Sequence, residues 1–241
     1  MIHGVAVVPT TPLLVDSHAG ARHPDIDRLA VAASEALDGL DGADVVVLLA
    51  CGDALSVSGR PSTDLSGYGM DLDPHPLTTP SPDVVQALLG GVLGAASDGG
   101  GDLRVMARLV PPGTTAVGVS VPSDVTVADA RAVARLLADL AADRSVAVVG
   151  AGDLGAGPGR KPPRPTAAEA STAFDEAVVA ALDGRPADLL AIDLDLAARA
   201  HSRGAGALRV VGALAADLDL VTAVRASGAP LGVGYVVAAS T

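Results

Sequence analysis

Aromatic side chains are almost absent from these 241 residues: Tyr68, Phe174 and Tyr235 are the only three, and there is no Trp. The stacking platforms on which bases of nucleic acid rest are therefore missing. Cysteine occurs once, as Cys51, which excludes an intramolecular disulfide framework and a thiolate zinc cluster. Positive charge is scarce as well. Lys161 is the single lysine, and 16 basic residues face 28 acidic ones for a net charge of −12. Phosphate backbones and anionic membrane surfaces are repelled by such a chain, so neither nucleic acid nor membrane is an expected partner. No apolar run approaches the roughly 20 residues of a membrane span. The N-terminus has no basic stretch, and its first apolar run is broken by Pro9. No signal peptide is read from this, and a reducing cytoplasm is the expected compartment. Glutamate is limited to Glu35, Glu169 and Glu176, and histidine to His3, His18, His23, His75 and His201. Any metal site or general base has few candidates.

What remains is aliphatic. Alanine contributes 47 residues and hydrophobic residues 49% of the chain, enough to fill one sizeable α/β core. Strand and helix patterns alternate. Residues 2–8 and 44–50 are short apolar runs of the kind buried on both faces of a sheet. Pro24 opens a helix with Ile26, Leu29, Ala30, Ala33 and Leu37 on one face. Residues 51–80 are rich in Gly, Ser, Pro and Thr and read as a long loop. Residues 82–96 predict a helix, and 103–110 and 116–121 predict strands. Thr126 caps a helix, and 145–149 is a strand. Residues 150–165 hold five Gly and four Pro and read as irregular. Thr166 and Glu169 form a capping box at the head of the next helix. Residues 187–203 predict a helix, 205–216 are ambiguous, and 221–226 with 233–238 predict a closing hairpin. The alternation argues for one α/β domain over residues 1–241, with a largely parallel central sheet flanked by helices.

Ligands of such sheets bind outside the carboxyl ends of the strands, which directs attention to residues 9–18, 51–68 and 150–165. Gly150, Gly152 and Gly155 spell a dinucleotide fingerprint after a strand. That motif needs a helix opening at its third glycine, and the prolines at 158, 162, 163 and 165 leave no room for one. No nucleophile elbow is present, and Cys51 reads as a buried strand-end residue. Asp53 and Asp153 each follow a glycine at the end of an apolar strand. They either cap loops through backbone N–H groups or share a cleft with Thr10, Thr11 and Tyr68. A hydrolytic or metal-assisted site on Asp53 and Asp153 is one reading. Oxygen ligands of this kind suit Mg²⁺ or Ca²⁺. His18 and His23 flank a loop near a strand end, His75 sits in a Pro-flanked turn, and His201 lies near helix-end carbonyls.

The order of several segments resembles the LigB-like superfamily, the fold of class III extradiol ring-cleavage dioxygenases. The run from Val7 to Val15, with Pro9-Thr-Thr-Pro-Leu-Leu14 inside it, is similar to that family's first strand and P-H-P-P-L-L turn. Ala151-Gly-Asp-Leu-Gly-Ala156 resembles its S-G-D-x-S-H segment. Phe174-Asp175 resembles its F-D helix, and Leu231-Gly-Val-Gly-Tyr235 its closing strand. The group most similar is an uncharacterised actinobacterial one. The resemblance implies the fold, a cleft for a small molecule, and dimers or larger assemblies. In active members two His and a carboxylate hold Fe(II), with a further His as acid/base. Here the first-turn His falls on Thr10, the S-G-D-x-S-H histidine falls on Ala156, and none follows the second strand near 51–54. No Glu follows Glu176, leaving Asp217 or Asp219 as stand-ins. No metal ligand and no cofactor is therefore expected. Fe(II) enters only if the protein is an active ring-opening dioxygenase whose imidazoles come from His18, His23 or His75. The main expectation is a non-catalytic or repurposed member that keeps the cleft.

Overall fold

The computed structural model describes residues 1–15, 23–73, 75–89, 93–95, 100–156 and 165–241. In chain order its elements are β1 (Ile2–Val8), α1 (Pro24–Asp38), β2 (Val45–Cys51), β3 (Ser56–Ser58), α2 (Pro82–Leu89), β4 (Gly94–Ala95), α3 (Gly101–Leu109) and β5 (Ala116–Val121). There follow α4 (Val127–Leu140), β6 (Val146–Ala151), β7 (Asp153–Ala156), α5 (Pro165–Leu182), α6 (Leu194–Arg199), α7 (Ala205–Leu218), β8 (Thr222–Gly228) and β9 (Val233–Ser240).

The branched aliphatic runs do what branched side chains favour: they form the centre of a nine-stranded sheet. Strands β5, β2, β6 and β1 lie side by side and parallel. Every residue of β5 and β6, and all of β2 except Cys51, is buried, so helices cover both faces. Toward the margins antiparallel pairs enter: β3 pairs β5 on one side, with the short β4 parallel beyond it, while β9 pairs β1, β7 and β8 on the other. The sheet is thus mixed and largely parallel, as the sequence predicts, and the closing hairpin is present as β8 and β9. Phe174 is the one fully buried aromatic; the rest of the core is aliphatic, each buried Leu or Val contributing roughly 1.5–3 kcal/mol. Among the described residues no helix is long and apolar enough to cross a membrane.

Several elements depart from the sequence reading. Residues 103–110, expected as a strand, belong to helix α3, whose buried Leu103, Met106 and Ala107 recur at helical spacing. The expected helix over 82–96 stops at Leu89 and is followed by the short strand β4. The ambiguous 205–216 is helix α7, buried on all sides from Ala205 to Ala215; without a polar face its periodicity carries no signal. The long 51–80 segment contains β3 and a 3-10 turn at Ser66–Tyr68. Thr126 caps α4 as expected, its Oγ1 accepting from Asp129 N–H at 3.1 Å. The side chain of Thr166, and with it the capping box, lies outside the described residues.

One crossing of the chain positions the site. Strand β1 stops at Val8, and the chain leaving β6 moves across its end to pair with β9 as β7. Gly152 makes this change of partner: its N–H donates to Val8 O at 2.7 Å and its carbonyl accepts from Val236 N–H at 3.1 Å. A Cβ there would stand 2.4 Å from Val236 O, so only glycine lets the two backbones close. The next residue, Asp153, is thereby delivered to the carboxyl ends of β1 and β6.

Candidate functional site

A cleft of about 250 Å³ opens at this edge, with Thr10, Thr11, Tyr68, Asp102, Asp153, Ala156, His201, Arg203 and Tyr235 among its lining residues. An apolar cavity of roughly 150 Å³ accommodates benzene, so this one suits a single substituted ring or a molecule of similar size. A dinucleotide is far larger.

Asp153 is the centre of the polar lining. Its Oδ2 accepts two hydrogen bonds from one residue, from Thr10 N–H at 3.0 Å and from the Thr10 hydroxyl. Among the described residues no donor bonds Oδ1. Burial pushes the carboxyl up to about 6, against the opposing pull of the Thr10 bonds. Thr11 Oγ1 accepts from Leu13 N–H at 3.4 Å and holds the 3-10 turn Pro12–Leu14. The opposite wall comes from two other segments. Arg203, in the loop between α6 and α7, pairs with Asp102 in the first turn of α3 at 3.2 Å, near Cys51 at the end of β2. Burial raises the Cys51 thiol, and Asp102 raises it further. The loop carrying Arg203 can lie this close because Gly204 follows: a Cβ there would meet Asp153 O at 2.4 Å. Ser202 Oγ donates to that same carbonyl at 3.3 Å.

Four of the five cleft residues expected from sequence, Thr10, Thr11, Tyr68 and Asp153, therefore line one cavity. Asp53 does not. It is exposed in the bend after β2 and lines no part of the cleft. Asp102, Arg203, His201 and Tyr235 are the lining residues missed in the sequence. The first lies in the helix misread as a strand, and the next two in a loop of no recognisable motif. Tyr235 was visible as one of only three aromatics, and that scarcity was the available signal.

The histidines are dispersed. His23 caps α1, its Nδ1 accepting from Asp25 N–H at 3.3 Å. His75 Nε2 lies 2.7 Å from Val110 O, away from the cleft. His18 lies outside the described residues. His201, expected against helix-end carbonyls, instead lines the cleft from a left-handed backbone position with φ 55°. Asp217 and Asp219 are no stand-ins for a metal carboxylate. Both stand at the far end of α7, roughly 20 Å of helix from the cleft, Asp217 beside Arg131 at 3.9 Å and Asp219 as the left-handed cap. Among the described residues no three His, Cys, Asp or Glu side chains could hold a metal ion. The donors described in the cleft do not fit Fe(II): Thr10 is committed to Asp153, Ala156 offers no donor atom, and His201 is one imidazole where two are called for. The glycine fingerprint also finds no nucleotide geometry. Gly150 lies in β6 and Gly155 in β7, and no helix begins at either.

No family model and no curated protein matches the chain. Among solved structures, the crystal structure of the uncharacterized protein JW3007 from Escherichia coli K12 is similar to it, with a TM-score of 0.59 and 14% sequence identity over 98% of this chain and 99% of that one. At that identity the likeness shows a shared single-domain α/β fold, and the fold alone.

Proposed function

We propose that the protein is a relative of the class III extradiol dioxygenases that has lost iron-dependent ring opening and retains the cleft as a binding site for a small, one-ring molecule. One observation carries this reading. Thr10 and Ala156, the positions where the resemblance puts two histidines, line the same cleft as Asp153, which supports reading them as replacements of those histidines. Without imidazoles at those two positions, the described residues offer this cleft one histidine, His201, where ring cleavage calls for two on iron and a further one as acid/base.

The test is oxygen uptake. Purified protein incubated with Fe(II), air and simple catechols should consume no more oxygen than Fe(II) and catechol alone. One-ring acids, alcohols and amines should raise the unfolding midpoint of the wild type, since a ligand that prefers the folded state stabilises it. That rise should be smaller for Asp153→Ala. Fe(II)-dependent uptake with formation of a coloured ring-opened product would overturn the reading.

A further inference from the structure

Resting on the reading of this cavity as a binding cleft, we infer that its ligand is a small primary ammonium compound with one ring, whose –NH₃⁺ binds Oδ1 of Asp153 while the ring lies against Tyr235 and Tyr68. The argument starts from the two oxygens of one carboxylate. Oδ2 is saturated by the Thr10 amide and hydroxyl. This bond anchors the turn after β1 and explains half of the side chain. Oδ1 has no donor among the described residues and belongs to a residue that lines the cavity. If Asp153 were only a brace for Thr10, an uncharged acceptor would serve equally and would avoid burying a charge. A ligand that supplies the missing donor, and a positive charge with it, removes that imbalance.

The remaining charges fix the sign of the ligand. Facing Asp153 are Asp102 from α3, Arg203 and His201 from the loop after α6, Cys51 from β2, and Tyr68 and Tyr235. Arg203 is paired with Asp102, so its charge is already matched and, among the described residues, the carboxylate of Asp153 is the charge of the cleft left without an ionic partner when it is ionised. An anion entering here meets net repulsion; a monocation neutralises the site. Two of the three aromatic residues of the whole chain line this cleft, and a cation within reach of such rings gains from their faces. The volume of about 250 Å³ limits the occupant to roughly one ring with short substituents.

Benzylamine, benzyl alcohol and benzoate are near-isosteric probes that differ in charge. Calorimetric titration near pH 7.5 should find benzylamine bound at least about tenfold more tightly than benzoate, with the alcohol between them. With the Asp153 carboxyl near 6, lowering the pH to about 5 should weaken benzylamine about tenfold, because most Asp153 is then protonated. Asp153→Asn, checked for a native circular dichroism spectrum, should abolish both the preference and its pH dependence. His201→Gln should keep both, separating Asp153 from the imidazole that lines the same cleft. A preference for benzoate or the alcohol, unchanged benzylamine affinity in Asp153→Asn, or displacement of benzylamine by millimolar Ca²⁺ or Mg²⁺ would overturn the ammonium assignment while leaving a binding cleft. Absence of binding by all three probes would overturn the cleft itself and this inference with it.

Discussion

At the scale of single residues, the cleft is a place where the protein gives up stability. Asp153 and Asp175 are both raised to about 6 by burial, and the principal compensation of each is a hydrogen bond, from Thr10 and from Gly155 N–H respectively. A carboxyl that is harder to ionise in the folded state than in the unfolded chain keeps its proton longer when folded. Between about pH 4 and pH 6 the folded state therefore binds more protons, and stability falls as pH rises through that window. Above it the loss is complete; below it the loss is absent. Asp153→Asn should accordingly stabilise the protein by about 1–2 kcal/mol near pH 7.5 and by only about a third as much near pH 4.5, measured by urea unfolding at both values. The figure is set below the full shift because the side chain retains some solvent contact. Asp53→Asn is the control: exposed and away from the cleft, it should change stability by less than about 0.5 kcal/mol at either pH. A pH-independent loss in Asp153→Asn would mean the Thr10 brace outweighs the buried charge.

At the scale of elements, legibility in the sequence followed the presence of two distinguishable faces. Helix α1 alternates buried Ile26, Leu29, Ala33 and Leu37 with charged positions and is readable at a glance, as is β2 with its unbroken aliphatic run from Val45 to Ala50. Helix α7 has no polar face, and α3 is short with a valine at its centre, so periodicity could not separate helix from strand in either. The site shows the same division. Thr10, Thr11 and Asp153 come from strand ends, where sequence pattern marks the position. Asp102 and Arg203 come together only through tertiary folding. What marks α7 as central is its glycines. Gly212 faces the 3-10 segment Pro186–Ala191, and a Cβ there would stand 2.3 Å from Leu190 N. Gly212→Ala gains up to about 1 kcal/mol in helix propensity, yet it drives a methyl group into backbone that cannot swing aside, and overpacking of this kind costs about 1–3 kcal/mol or more. The clash should win. Chemical denaturation should show a net loss of about 1–2 kcal/mol, and an increase in stability would mean that α7 and the 3-10 segment separate readily.

At the scale of the whole molecule, charge acts on folding and on binding in opposite senses. A net charge of −12 on a compact chain repels itself, and compaction is opposed most strongly at low ionic strength. The exposed ion pairs cannot offset this: Arg28 with Asp25 and Arg185 with Asp188 are surface contacts, each contributing between nothing and about 1 kcal/mol. Salt screens repulsion summed over many carboxylates more than it weakens these few pairs, since the Debye length shrinks from about 30 Å at 0.01 M to about 10 Å at 0.1 M. The unfolding midpoint should therefore rise as NaCl is increased over that range. The same negative field draws a cation toward the cleft and is screened by the same ions, so the affinity of benzylamine should fall as the midpoint rises, while that of neutral benzyl alcohol should stay level. Measured together by calorimetry and thermal unfolding at matched salt, the two trends separate a cleft charged from within from one fed by the surface. If the amine's affinity holds constant while the midpoint climbs, its recognition rests on Asp153 at contact distance and the long-range field contributes nothing to it.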